Sequence, residues 1–312
     1  MVEIPIDPEV KEFLESFYKL DIAIDPTKYS IEEIRKKMNA LFAEALPKEP
    51  IYKTEDIKIR SDGNDLPIRI YYPDDKKGHG IILHFHGGAW IFGNLDTEDS
   101  ISRILANHCG CTVVSVDYRL APEHKFPAAV NDCFNSLLWS INNAERIGGD
   151  PRRIATFGIS AGGNLAAATS ILSKEKGVKL KAQALVVPFV YLDVASRSMN
   201  EYRKGYFLDI DTSALSWLFM YIRNESDLVN PLFQPLLAND LSGMPETIIL
   251  TAEYDPLRDQ GEAYAGRLRE SGVPTVSMRL NGMIHAFLGS PRVQRQSAII
   301  VSSLLKDIFT KD

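Results

Sequence analysis

One pentapeptide, Gly158-Ile159-Ser160-Ala161-Gly162, restricts this chain more than any other feature. The apolar run Ile154-Ala155-Thr156-Phe157 before it reads as a buried strand, and Leu165-Ala166-Ala167-Ala168-Thr169 after it reads as a helix. Gly-x-Ser-x-Gly at such a junction spells a sharp strand-to-helix turn, which holds the serine in a strained conformation with its hydroxyl pushed out of the sheet. Glycines flank the serine because side chains there would collide as strand and helix close together. The helix start also brings backbone N–H groups and the positive end of its dipole beside any negative charge that develops at the serine. Five residues alone fit a chance serine in a Gly-rich turn equally well, so the rest of the chain has to decide.

With 312 residues, 45% hydrophobic and 24% charged, the chain has ample material for one large globular domain or two ordinary ones. Its net charge of −6 gives no general attraction to phosphate backbones or anionic membranes, which argues against a nucleic-acid partner. No run approaches the roughly 18 apolar residues of a spanning helix, so no stable membrane insertion is expected. Cys109, Cys111 and Cys133 make an odd number, and the opening Met1-Val2-Glu3-Ile4-Pro5-Ile6-Asp7 lacks the marks of a signal peptide. A cytoplasmic setting with buried or free thiols is the expectation. Cys109-Gly110-Cys111 beside His108 has no second ligand pair, so neither a metal nor another cofactor is expected.

Residues 1–48 read as helices: Phe13, Leu14, Phe17 and Tyr18 recur at helical spacing, as do Ile31, Ile34, Met38, Leu41 and Phe42. Asp25-Pro26 separates the two helices, and the Pro47-to-Pro50 punctuation closes the second. From residue 51 the period becomes two. Ile57–Arg60 and Leu66–Tyr72 flank a polar turn and predict a hairpin. Strands over 81–86, 111–117, 154–157, 182–187, 246–251 and 276–280 alternate with helical patterns over 97–108, 127–146, 163–174, 258–271 and 292–309. That alternation predicts an α/β fold with a mostly parallel sheet and an antiparallel leading hairpin. The core then comprises 49–189 and 241–312. Residues 190–240 form an insertion, with a helix over Ser213–Ile222 and loops around Asn200-Glu201-Tyr202. Together with residues 1–48 it fits a lid over a site, and it fits ordinary core contact beneath a long connection as well.

A serine hydroxyl attacks well only when a base takes its proton and an acid orients that base. With this elbow the chain order is serine, acid, histidine. Of six histidines only His285 lies after Ser160, in a stretch directly after the last predicted strand. The preceding strand ends in Glu253, Asp255 and Asp259; Asp255 is the candidate acid, because it stands at the strand's carboxyl end just before Pro256, a residue suited to a first helical turn. His86-Gly87-Gly88-Ala89-Trp90 comes after the first buried strand, where adjacent glycines can turn their N–H groups toward a substrate oxygen. Gly87 and Gly88 are the expected oxyanion donors from this loop, with Ala161 from the elbow.

His86-Gly87-Gly88-Ala89-Trp90, Asp117-Tyr118-Arg119-Leu120-Ala121-Pro122-Glu123, Gly158-Ile159-Ser160-Ala161-Gly162-Gly163-Asn164 and Asp255-Pro256-Leu257-Arg258-Asp259 together resemble the hormone-sensitive-lipase-like carboxylesterases, in that family's order and spacing, over about residues 80–290. The resemblance implies an α/β-hydrolase fold and a helical cap made of residues 1–48 and 190–240. It implies hydrolysis of short-to-medium acyl esters through an acyl-enzyme, no cofactor, and frequently a homodimer. It also implies that His86 orders the oxyanion loop and that Tyr118–Glu123 supports the site. Two residues depart from the family pattern: Ala89 stands for a third glycine, and Ile159 stands for the usual acidic residue. An amidase or deacetylase would share every catalytic residue, and a ligand-binding protein could share the scaffold. Trp90, Tyr206, Phe207 and Trp217 are the candidate substrate-binding residues, each also explicable as core packing.

Overall fold

Asp62-Gly63 supplies the first tight turn. The computed structural model describes residues 5–19, 28–210 and 214–311, and in it Asp62 and Gly63 have φ of 47° and 81°. Two positive-φ residues make the hairpin turn whose twist matches its strands. It joins β1 (Lys53–Ser61) to β2 (Asn64–Tyr72) in antiparallel register, Ile59 opposite Leu66. Then come β3 (His79–Phe85), α3 (Asp99–Cys109), β4 (Thr112–Val116), α4 (Ala128–Asn142), β5 (Gly149–Ile159), α5 (Ala161–Glu175) and β6 (Ala182–Val186). The chain ends with β7 (Glu246–Tyr254), α8 (Arg258–Glu270), β8 (Thr275–Ile284) and α9 (Pro291–Thr310). The sheet order is β1-β2-β4-β3-β5-β6-β7-β8, with β2 antiparallel to β4 and every later pairing parallel. β4 and β6 are buried along their whole length, as expected where helices cover both faces of a parallel sheet. α5 is buried from Ala161 to Ile171, which is why it is written in small residues.

Before the sheet, α1 (Pro8–Lys19) and α2 (Ile31–Glu44) realise the two helical periods. Ser30 caps α2 through a reciprocal pair: its Oγ accepts from the Glu33 N–H at 3.2 Å, and Glu33 accepts from the Ser30 N–H at 2.9 Å. Asp25-Pro26, read as the break between these helices, lies outside the described residues. The inserted segment holds α6 (Arg197–Tyr202) and α7 (Leu215–Tyr221), so the sequence expectation of loops around residues 200–202 is corrected. Ser196 caps α6 with its side chain accepting from the Met199 N–H at 3.3 Å, a signal available in the sequence but overlooked. The predicted helix over Ser213–Ile222 is found as α7; Ser213 itself is outside the described residues.

The N-terminal helices and the insertion meet over the carboxyl ends of the parallel strands. The Phe207 ring lies 5.1 Å from Phe17 and 6.3 Å from Phe42, and the Phe207 N–H donates to Tyr18 Oη at 3.0 Å. From α2, Arg35 grips the Glu123 carboxylate at 2.6 and 2.8 Å, which holds that carboxyl down to about 2, and donates to the carbonyls of Ile91 and Ala121. The expectation of buried or free thiols at Cys109 and Cys111 is corrected in part: both are buried, but a disulfide joins them. Gly110, at φ 68°, ends α3 in a left-handed turn that brings the two Cα atoms to 5.3 Å, within bridging range. Cys133 is free and buried, and burial pushes its thiol well up. Among the described residues no cluster of His, Cys, Asp and Glu is arranged for a metal, and no helix is long and apolar enough to cross a membrane.

Candidate active site

β5 runs straight into α5, and only one residue makes the turn. Ser160 has φ 57° and ψ −115°, a strained conformation for a residue with a side chain, and its N–H donates to the Val186 carbonyl at 2.9 Å. Close approach explains the glycines. A Cβ on Gly158 would overlap the Gly162 carbonyl, and one on Gly162 would overlap the Phe85 carbonyl at the end of β3. Asn164 then fastens the helix start beneath the insertion, donating to the carbonyls of Phe189 and Phe233 at 3.0 and 2.8 Å.

Residues 125 positions apart meet at this turn: His285 Nε2 lies 2.8 Å from Ser160 Oγ, and His285 Nδ1 lies 2.8 Å from Asp255 Oδ2. Asp255 and His285 are buried, whereas Ser160 is partly open. A carboxylate only accepts, so Nδ1 carries the proton and Nε2 is left to accept from the serine hydroxyl. The other two carboxylates of the segment are committed elsewhere. Glu253 accepts from the Gly282 N–H at 2.7 Å, and Asp259 accepts from the Ser198 N–H and the Arg258 guanidinium, both at 2.8 Å.

A second Ser-His-acid chain lies nearby, unforeseen in the sequence. His84 Nδ1 is 2.7 Å from Ser102 Oγ, and His84 Nε2 is 2.8 Å from Glu98 Oε2. Ser102 and His84 are fully buried, so this chain cannot reach a substrate; it leads instead to the glycine loop. Glu98 Oε1 accepts from the Gly87 N–H at 2.7 Å. The expectation of Gly87 as an oxyanion donor is therefore corrected, because its N–H is already spent on a carboxylate. Among the described residues the N–H groups of Gly88 and Ala89 donate to no protein acceptor. Ala161 opens α5, where helix N–H groups have no intrahelical partner. Gly88 has φ 113°, where a Cβ would overlap the Phe92 carbonyl, while Ala89 accepts φ 50° despite its methyl. His86 backs the loop: its ring stacks on Tyr118 at 4.2 Å, Nδ1 donates to the Gly87 carbonyl at 2.7 Å, and burial pushes its imidazole down to about 4. It stays neutral.

Glu98→Ala is expected to lower kcat by about a hundredfold with little change in KM, since a misplacement of about 1 Å in the oxyanion loop costs that much. Glu98→Gln is expected to recover most of the loss, because an amide oxygen still accepts from Gly87 and its NH₂ can meet the other tautomer of His84. Steady-state kinetics of the two variants check this, and equal loss in both would defeat it.

A family model described as alpha/beta hydrolase fold matches residues 82–289, spanning all of these residues. The chain belongs to this α/β-hydrolase family. An arylesterase of Saccharolobus solfataricus is 62% identical over 305 residues, 98% of this chain and 99% of that protein. Carboxylesterase NlhH of Mycobacterium tuberculosis is 36% identical, covering 91% of this chain and 89% of its own. Among solved structures, an arylesterase superposes with a TM-score of 0.94 at 61% identity, covering 98% of this chain and 100% of that one. An esterase of Pyrobaculum calidifontis superposes with a TM-score of 0.90 at 34% identity, covering 98% and 99%. The hormone-sensitive-lipase-like resemblance holds, and this hydrolase acts on carboxylic esters.

Two cavities of the hydrolase meet at Ser160. One, of about 50 Å³, is apolar and is walled by Trp90, Ala161, Phe189, Leu215 and Trp217. The other, of about 40 Å³, is walled by Met38, Phe42, Gly88, Phe207 and His285, with Trp217 between the two. Trp90, Phe207 and Trp217 thus reach the site that the sequence expected of them. Trp90 is at the same time packing, stacked on Tyr221 at 4.5 Å. Tyr206 lines neither cavity; it stacks on Tyr254 at 5.7 Å and edges Tyr202 at 5.1 Å, a correction to its expected substrate contact.

Proposed function

We propose that this ester hydrolase is a serine carboxylesterase in which Ser160 is the nucleophile, His285 the general base and Asp255 the group that orients it. The hydrogen-bonded chain from Asp255 through His285 to Ser160, ending beside unpartnered N–H groups, carries this reading. Ser160 Oγ attacks the ester carbonyl as its proton passes to His285 Nε2, and Asp255 stabilises the resulting imidazolium. Gly88, Ala89 and Ala161 donate to the oxyanion. As it collapses, His285 protonates the leaving alcohol; water then attacks the acyl carbon while His285 takes its proton, and the C–Oγ bond breaks as His285 returns that proton to Ser160 and the acid is released.

The leaving oxygen must lie against His285 Nε2, so the alcohol points into the cavity that His285 walls. The acyl chain takes the other cavity, where Ala161 and the apolar residues lie. The cavity for the acyl chain is small, about 50 Å³, and almost wholly apolar, which favours short acyl chains. Residues 1–48 and 190–240 act as the cap, supported by their meeting at Phe207 above the serine. The net charge of −6 supports the absence of a nucleic-acid partner, and the motif resemblance supports a homodimer.

A series of p-nitrophenyl esters from about two to sixteen acyl carbons tests the reading; kcat/KM is expected to peak at about four to six carbons and to fall at least tenfold by twelve. A maximum among the longest, aggregated esters would overturn the esterase reading in favour of a lipase. Faster turnover of a matched p-nitroanilide would overturn it in favour of an amidase.

A further inference from the structure

The turn that carries Asp255 is fastened from outside the core, by the inserted segment. Ser198, fully buried near the start of α6, makes three hydrogen bonds to it. Its Oγ donates to the Pro256 carbonyl at 3.0 Å and accepts from the Asp259 N–H at 3.1 Å, while its N–H donates to Asp259 Oδ2 at 2.8 Å. We infer that Ser198 is a positioning residue for Asp255: it locks the peptide that orients the carboxylate, so the triad is complete only while α6 is seated. This rests on the assignment of Asp255 and His285 made above.

One peptide unit transmits the effect. The Pro256 C=O and the Leu257 N–H belong to the same planar trans peptide group, so they point opposite ways and turn together. The N–H end donates to Asp255 Oδ1 at 2.8 Å, which leaves Oδ2 aimed at His285 Nδ1, also at 2.8 Å. The C=O end is held by Ser198 Oγ, and among the described residues no backbone N–H donates to it. Without that hydroxyl the peptide is free to rotate, and the carboxylate rotates with it.

The helix that follows the turn has no cap of its own. Leu257 stands at the N-cap of α8 and has no side-chain oxygen, so Ser198 supplies the acceptor that an N–H of the first turn needs. Arg258 braces the other side: Nη1 donates to the Glu253 carbonyl and Nε to Asp259 Oδ1, both at 2.8 Å, which keeps the Asp259 carboxylate facing Ser198. The stability of α6 has a separate source, because its own cap is Ser196, which accepts from the Met199 N–H. Ser196 therefore serves the helix alone, and Ser198 serves the turn.

The test compares Ser198→Ala, Ser196→Ala, Asp255→Asn and the double variant Ser198→Ala with Asp255→Asn, by hydrolysis of p-nitrophenyl butyrate and a thermal melt of each. Ser198→Ala is expected to fold and to lower kcat about tenfold or more with KM within about twofold, since a catalytic group misplaced by about 1 Å loses up to about 10²-fold. Ser196→Ala removes an ordinary helix cap and is expected to keep kcat within about twofold. In the Asp255→Asn background, Ser198→Ala should lower kcat by less than about a further twofold, because the group it positions is already gone. An unchanged kcat in Ser198→Ala, a loss carried by KM, an equal loss in Ser196→Ala, or a full tenfold loss on top of Asp255→Asn would overturn the positioning role. Near-normal kcat in Asp255→Asn alone would instead overturn the underlying triad assignment.

Discussion

Asp255→Asn is expected to lower kcat by about 10⁴-fold while the protein stays folded, because it forces His285 into the wrong tautomer. The local hydrogen bonds decide which way the new amide faces. Asp255 Oδ1 accepts from the Leu257 N–H at 2.8 Å, while Oδ2 faces His285 Nδ1 at 2.8 Å. In asparagine the oxygen must stay on the Leu257 side, since an amide NH₂ there would oppose another donor. The NH₂ then meets Nδ1, which has to become an acceptor, so the ring proton moves to Nε2. From there the imidazole can no longer take the proton of Ser160. Single-turnover kinetics with a p-nitrophenyl ester, alongside a thermal melt, separate this from unfolding. A loss of less than about tenfold in a folded protein would mean that Asp255 does not set the tautomer.

The fold was largely readable in the sequence because burial on two faces and burial on one leave different periods. Ile81–Phe85 and Val113–Val116 are apolar but for His84 and Ser115 and became β3 and β4, whereas Ile57–Arg60 alternates and became part of the half-exposed hairpin. The serine, acid and histidine were readable for another reason: each comes directly after a strand in a parallel sheet, so chain order fixes which ends converge. Contacts between distant side chains leave no local pattern, and these could not be read. Glu98 looks like any acidic residue near a helix start, and nothing nearby in sequence shows that it takes the Gly87 N–H and displaces that glycine from the oxyanion set. Tyr206 is one tyrosine among several, and its stacking on Tyr254 needs the insertion to be folded back onto β7. The disulfide depends on the backbone turn at Gly110, which the spacing of two cysteines does not specify.

The elbow also sets the largest expected effect on stability. Gly162→Ala is expected to destabilise the protein by more than about 4 kcal/mol, enough to leave much of it insoluble. The added methyl would overlap the carbonyl oxygen of Phe85, which is backbone and cannot swing aside. Phe85 is paired in register with Gly158 on β5 and with Val116 on β4, so moving it disturbs three central strands. The displacement would also carry away Gly87 and Gly88, which follow after His86. Gly163→Ala is the informative comparison one residue on. Its methyl would meet Pro188 Cβ at 3.0 Å, Pro188 Cα at 3.1 Å and the Gly158 carbonyl oxygen at 3.2 Å, contacts that a shift of a few tenths of an ångström relieves, against 1.9 Å to the Phe85 oxygen at Gly162. Its cost should therefore be moderate, about 1–3 kcal/mol, as for ordinary overpacking. Urea unfolding of the two variants reads the difference directly. If both lost the same stability, close packing of strand against helix would not be what demands the second glycine of Gly-x-Ser-x-Gly. The strain carried by Ser160 itself would then have to explain the motif, and Ser160→Gly, which relieves a φ of 57°, should raise stability in either case.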